Sequence, residues 1–478
     1  MELRRLFYPE SIAVIGASPN IGGGKMPYYQ ILQMAGYSGR LYPVNPKYDE
    51  IEGTQVYHSI DDLPEAVDFI IASVPSMHAL DIVKQACRNK AGFIHFFTSG
   101  FSEIGEVEIE DAMLDVAREH GLRIVGPNCI GVHCTESGVS CDLPRQWQSP
   151  GDVGFLSQSG GMTNNFMRMA NSRKIQLNKL VSYGNQMDLK VEDYLEYLAQ
   201  DDDVRAIAAY IEDIKDGRRF IQALKDTSRH KPLIILKGGV TSQGAKAAAS
   251  HTGAMAGHFE IWSAVMRQFG CIEVDTFEHM IDMLVLATAS RIPDGHRIGF
   301  LGSGGGTSVL LTDMAALSGL ELPELDSITQ EQIASRISNV NTSTVNPVDL
   351  GFYGFDFDIM AHTMSVMDTD DNIDMILPYF SMDFITSFEK SDVSEGALKI
   401  AETINRMNKP VIPILSKFTE DVEIERTRIA FYNILRAEGI PVYQTIQDAI
   451  YSISGILRWV DFIEKGSRPE PGAYLSSL

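Results

Sequence analysis

Val153-Gly-Phe-Leu-Ser-Gln-Ser-Gly-Gly161 is a short apolar run ending in a serine- and glycine-rich turn, and Ile298-Gly-Phe-Leu-Gly-Ser-Gly-Gly-Gly306 nearly repeats it. The first runs on into a helix-length stretch, Met162 to Arg173, and the second is likewise followed by a helical stretch. A strand feeding a helix through a tight glycine turn is the building unit of a parallel, doubly wound α/β sheet. Two more matching pairs follow: Ala206 to Glu212 resembles Ile373 to Phe380, and Lys231-Pro-Leu-Ile-Ile-Leu-Lys237 recurs loosely as Lys409-Pro-Val-Ile-Pro-Ile-Leu-Ser-Lys417. The pattern implies a divergent internal duplication, two flavodoxin-like sheets of similar topology.

Toward the N-terminus, Ser11 to Gly16, Arg40 to Val44, Val67 to Val74, Gly92 to Phe97 and Leu122 to Val125 read as strands. Amphipathic stretches such as Met77 to Asn89 and Glu106 to His120 lie between them, which predicts a further parallel sheet with its ligand crevice at the strand C-termini. The expected domains are residues 1–142, 150–292 and 296–465, with 466–478 as a tail.

Composition narrows the function. A net charge of -23 over 478 residues argues against a nucleic-acid surface, so anionic ligands must be met by backbone amides, helix N-termini and a few lysines. No stretch approaches the roughly 20 apolar residues of a membrane span, and the charged N-terminus does not read as a signal peptide. Five scattered cysteines point to a reducing compartment, so the expected location is cytoplasmic. Cys129, His133, Cys134 and Cys141 cluster in sequence, but lack the paired knuckles of a zinc site, and no metal is expected.

The candidate site residues stand at predicted strand ends. Gly16, Ala17 and Ser18 follow the first strand, where exposed amides suit a phosphate. Dinucleotide-binding folds place an acidic residue after the second strand; here Val44-Asn-Pro-Lys47 offers a lysine, which suits a phosphorylated ribose and favours CoA or NADP over NAD. The next strand ends, Ser73-Val-Pro75, Thr98-Ser-Gly-Phe101 and Gly126-Pro-Asn-Cys-Ile-Gly131, are free of bulk, as an extended ligand requires. Ser159, Gly160 and Gly161 open a helix and form a candidate anion site. Glu212 closes a strand on the edge expected to carry His251, which lies in the small-residue run Ala245 to Gly257 and suits nucleophilic work near pH 7. Each has a plainer reading: an exposed lysine at 47, an ordinary helix cap at Ser159, a solvated acid at 212, and a polar histidine in a surface loop.

Together these motifs resemble the nucleoside-diphosphate-forming acyl-CoA synthetase superfamily, the relatives of succinyl-CoA synthetase, and most closely its ADP-forming acetate-CoA ligase α subunits. The resemblance runs along nearly the whole chain, through Ser11-Ile-Ala-Val-Ile-Gly-Ala-Ser18, Tyr42-Pro-Val-Asn-Pro-Lys47, Ser99-Gly-Phe-Ser-Glu-Ile-Gly-Glu106, Gly126-Pro-Asn-Cys-Ile-Gly131, Ser157-Gln-Ser-Gly160, Tyr210-Ile-Glu212, Ser250-His-Thr-Gly253 and Asn346-Pro-Val-Asp349. It implies a Rossmann-like CoA-binding domain followed by two flavodoxin-like, succinyl-CoA synthetase-like domains.

It also implies roles. Gly16, Ala17, Ser18 and Lys47 would surround the ADP moiety of CoA, Val74 and Pro75 the pantetheine, and Asn128 and Cys129 the thiol end. His251 would be phosphorylated, Glu212 would orient it, and Ser159, Gly160 and Gly161 would cradle phosphate. The family needs an ATP-grasp domain for Mg-ADP or Mg-ATP, and nothing in this chain reads as one. The resemblance therefore implies a separate ATP-grasp β subunit, a hetero-oligomer, and a small carboxylic acid or its acyl-CoA as substrate. Two alternatives stand beside it: a non-catalytic CoA-binding regulatory protein, and an NADP-linked oxidoreductase, disfavoured because the opening lacks Gly-x-Gly-x-x-Gly.

Overall fold

Each of the five apolar runs of the N-terminal segment becomes a strand of one parallel sheet. The computed structural model describes residues 3–19, 26–142, 150–246, 259–388 and 393–465, which divide into two compact units at Met280.

In the first unit, β1 (Ser11–Ile15) and β2 (Arg40–Val44) are followed by a small hairpin of β3 (Glu50–Ile51) and β4 (Thr54–Gln55), then by β5 (Phe69–Ala72), β6 (Phe93–Phe96) and β7 (Arg123–Val125). The main sheet has the order β2-β1-β5-β6-β7 with every pair parallel. Chain order reverses between β1 and β5, and that switch point opens a crevice beyond their C-terminal ends. The helices Ala79–Asn89 and Val107–His120 close on left-handed residues, Lys90 (φ 64°) and Gly121 (φ 71°), as helices ending in a tight turn do. Ile70, Val83, Ile94, Met113 and Ile124 are buried together between helices and sheet.

A second sheet in the same unit contains β8 (Gly131–Cys134), β9 (Val153–Ser157), β10 (Leu177–Ser182), β11 (Ala206–Ile211), β12 (Leu233–Lys237) and β13 (Ile272–Val274), in the order β13-β12-β11-β9-β10-β8. Five strands run parallel in flavodoxin-like order, and β8 lies antiparallel on β10, Val132 opposite Val181. β8 comes from residues that the sequence groups with the first sheet. It is buried throughout and covers an edge of β10 that would otherwise present unpaired backbone groups.

The second unit is built on β14 (Ile298–Gly302), β15 (Val348–Asp349), β16 (Met375–Ser381) and β17 (Ile414–Ser416), all parallel, in the order β15-β14-β16-β17. Its core gathers Leu301, Met364, Ile376, Phe380, Ile400 and Phe431. The duplication is visible in register. Ala206 pairs with Val153 as Met375 pairs with Ile298, so Tyr379 takes the place of Tyr210 and Ser381 that of Glu212. Helices of 13 residues follow both turns, Gly160–Ser172 and Gly305–Leu317. The run Lys409 to Lys417 is less regular than its expected strand: only Ile414–Ser416 is strand, with one isolated bridge at Val411. Pro410 and Pro413 have no N–H to give to a ladder. Among the described residues no helix is long and apolar enough to cross a membrane.

Candidate functional site

The crevice of the first sheet begins where β1 meets its glycine. Gly16 has φ +87°, and a Cβ there would lie 2.5 Å from the Ser73 carbonyl oxygen, so the turn closes directly on the end of β5. Asn45 then joins two of the predicted ligand segments. Its Nδ2 donates to the Ala17 carbonyl at 2.7 Å, and its Oδ1 accepts the Lys47 N–H at 3.0 Å. Lys47 is exposed, and Ala17 is buried. At the next strand ends the Thr98 hydroxyl donates to the Val74 carbonyl, and Glu103 accepts the N–H groups of Gly100 and Phe101. Burial would raise the Glu103 pKa, but these N–H groups and the Asn185 amide hold it below the usual carboxylate value.

Asn128 has φ 59° and reaches Asn185 through Nδ2 at 3.4 Å. Cys129 is 3 % exposed; its thiol points at the Phe96 carbonyl, and burial pushes its pKa up, which keeps it protonated. Its carbonyl accepts from His95 Nε2 at 3.0 Å. What the Asn128-Cys129 segment offers a ligand is therefore backbone and the Asn128 amide. His133, from the cysteine-rich stretch, sits against the hydroxyls of Ser140 and Thr135 at 3.2 and 3.1 Å. The described residues bring no group of three metal-ligating side chains together.

In the second sheet the Ser159 hydroxyl caps its helix, accepting the Met162 N–H at 3.4 Å, while Ser157 Oγ accepts the Ser159 N–H at 3.2 Å. A Cβ on Gly160 would lie 2.9 Å from Ile130, and Gly161 faces open space. One residue on, Gln158 ties this turn to the acid: its Oε1 accepts the N–H groups of both Glu212 and Asp213 at 2.9 Å. Glu212 is 8 % exposed, its Oε2 is buried with no partner among the described residues, and the Tyr210 hydroxyl lies beside its side chain against Gly238. Lys237 Nζ donates to the Glu212 carbonyl at 2.8 Å and lies 5.6 Å from the Trp262 ring centroid; burial lowers its pKa. His251 lies outside the described residues.

The two sheets meet around Asn185, whose importance the sequence did not signal. Its Nδ2 donates to Glu103 Oε2 at 2.6 Å and Glu110 Oε1 at 2.8 Å, and its N–H to the Pro127 carbonyl at 3.0 Å. Gln158, Tyr210 and Lys237 carry no signal of their own in the sequence, and their gathering around Glu212 follows from the parallel register. A surface cavity of about 650 Å³ lies at the opposite, N-terminal edge of the first sheet; it mixes Arg4 and Arg40 with Glu10, Glu136 and Asp201 and gives an anion no field of one sign.

Comparison with known proteins bears on the same regions. A CoA binding domain matches residues 10–135, and a succinyl-CoA ligase like flavodoxin domain matches residues 150–287. An acetate-CoA ligase (ADP-forming) of Methanocaldococcus jannaschii is 34% identical over 349 residues, 73% of this chain and 49% of that one, so the chain spans about half the length of that relative. The solved dinucleotide-forming acetyl-coenzyme A synthetase 1 of Ca. Korarchaeum cryptofilum, in complex with phosphate and ADP, matches 98% of this chain and 100% of its own with a TM-score of 0.88 and 28% identity. Subunit alpha of the ADP-forming acetate-CoA ligase II of Pyrococcus furiosus is 31% identical over 92% of this chain and 94% of its own, and on that likeness this chain belongs to the family of ADP-forming acetate-CoA ligases.

Proposed function

We propose that this chain is the α subunit of an NDP-forming acyl-CoA synthetase, interconverting acyl-CoA, ADP and phosphate with a carboxylic acid, CoA and ATP. The observation that carries the reading is the Glu212 carboxylate: buried, fixed at a strand end beside the Ser159-Gly-Gly161 turn, with Oε2 unpartnered among the described residues. Such an oxygen is costly to bury unless it receives a donor, and an imidazole N–H is a fitting one.

The first sheet fits CoA on its own geometry: the Gly16 turn leaves no room for a side chain, Asn45 brings the turn to Lys47, and Lys47 is exposed. Gly16, Ala17, Ser18 and Lys47 would hold the ADP moiety, Val74 and Pro75 the pantetheine, and Asn128 with the Cys129 backbone the thiol end. Phosphate, held by Ser159, Gly160 and Gly161, attacks the thioester carbon; the C–S bond breaks, and the thiolate takes up the proton that phosphate gives up. His251 then attacks phosphorus, forming a P–N bond as the carboxylate leaves, and Glu212 stabilises the resulting positive ring. The phosphoryl group passes to ADP with cleavage of the P–N bond. The family of the chain and the name of the Pyrococcus furiosus relative support a separate ATP-grasp β subunit for Mg-ADP, and acetate as the first acid to test. Five free, buried cysteines fit a cytoplasmic setting.

The test is intact mass after incubation with Mg²⁺, phosphate and a panel of acyl-CoAs running from acetyl to aromatic. An acid-labile gain of one phosphoryl group, absent from His251→Ala, is expected. No gain across the panel, with or without the nucleotide-binding partner, would replace this reading by that of a CoA-binding regulatory protein.

A further inference from the structure

The Glu212 carboxylate lies beside the Tyr210 hydroxyl, and its Oε2 is buried and without a hydrogen-bond partner among the described residues. Its backbone is fixed from both sides, the N–H on Gln158 at 2.9 Å and the carbonyl on Lys237 Nζ at 2.8 Å. Those bonds fix where the strand ends but leave the torsions of the side chain free, and a glutamate has three of them. The Tyr210 hydroxyl lies beside the carboxylate itself.

Gly238 packs against the same pair. A Cβ at that position would lie 2.7 Å from Tyr210 Oη and 3.1 Å from Glu212 Cγ, although the Gly238 backbone is not in the left-handed region. What excludes a side chain at 238 is therefore the space taken by the tyrosine and the acid, not the conformation of the chain. The tyrosine is itself constrained: its ring lies 5.7 Å from that of Phe277, and its carbonyl accepts the Tyr183 hydroxyl at 3.4 Å.

We infer that Tyr210 is a positioning residue for Glu212: its hydroxyl, packed beside the carboxylate, limits the orientations that the acid can take, and Gly238 keeps the space that this arrangement needs. The inference rests on the reading of Glu212 given under Proposed function. A hydrogen bond to a charged group contributes about 1.5–3 kcal/mol, which as a rate is roughly tenfold or more. Tyr210→Phe alters only the hydroxyl beside the carboxylate and leaves the ring against Phe277 in place.

The experiment follows phosphoenzyme formation by the full chain from acyl-CoA, phosphate and Mg²⁺ at one pH, in wild type, Tyr210→Phe, Gly238→Ala, Glu212→Gln and Tyr210→Phe with Glu212→Gln. Expected are a roughly tenfold slower step in Tyr210→Phe with CoA affinity and melting temperature held, the same direction in Gly238→Ala, and no further loss when Tyr210→Phe is added to Glu212→Gln. A wild-type rate in Tyr210→Phe, with Glu212→Gln impaired, would overturn the inference and leave the reading of Glu212 standing. A wild-type rate in Glu212→Gln would overturn both.

Discussion

His95 and His133 are buried imidazoles, and burial lowers each from 6.5 to about 4. As pH falls, the unfolded chain takes up these protons before the folded one does. The stability they protect is therefore complete above about pH 6.5 and is lost progressively down to about pH 4. Each group accounts for about 3 kcal/mol of that loss. Urea titrations at pH 7 and pH 4 should show a steep fall in wild type and a shallower one in His133→Asn, whatever the offset at neutral pH. In sequence His133 stands near Cys129, Cys134 and Cys141, in a spacing that lacks the paired knuckles of a zinc site. Its described partners include the hydroxyls of Ser140 and Thr135, and spacing along a chain does not reveal which way a ring faces inside a sheet. Glu212 is the opposite case: position at a strand end was enough to mark it, while the unpartnered Oε2 became visible only with its surroundings.

At the scale of elements, the predicted strands were legible to within two residues because buried parallel strands read as continuous apolar runs. Two departures have local causes. Prolines thin the run before Ile414, and β8 is a four-residue strand, Gly-Val-His-Cys, too short and too mixed to carry a period. The loop after β10 was equally opaque, yet it joins the two sheets: the Met187 N–H reaches the Gly126 carbonyl at 3.1 Å, Arg123 Nε reaches Asp188 at 2.7 Å, and Asn185 serves Glu103 and Glu110 at once. Asn185→Asp would set a third carboxylate against two that are already half or fully buried. A loss of about 3 kcal/mol in denaturant unfolding is expected, together with weaker CoA binding by calorimetry, because Glu103 also shapes the Gly100-Phe101 turn. Asn185→Ala should do less, since it removes a donor without adding charge.

Across the molecule the duplicated halves have separated in chemistry. Both keep the strand, the glycine turn and the 13-residue helix, and both keep the tyrosine, but Ser381 stands where the first copy has Glu212. In the second copy the Asp349 carboxylate occupies the glycine turn, accepting the N–H groups of Gly304 at 3.0 Å and Gly351 at 2.9 Å. A turn already holding a carboxylate has no call for a phosphate. That division is partly legible in sequence, since the first copy follows Lys237 with the small-residue run holding His251 whereas the second follows Lys417 with Phe-Thr-Glu; the destination of Asp349 is set by the β14–β15 pairing. Asp349→Ala should lower thermal stability by about 1–2 kcal/mol, as the loss of a helix cap does, with phosphoenzyme formation unchanged. The placement of β8 has a consequence in time. During synthesis β8 leaves the ribosome roughly forty residues before β10, its antiparallel partner. At about 5–20 residues per second that strand waits a few seconds with its ladder unmade, an interval in which the nascent chain offers an open edge to chaperones and to other nascent chains alike.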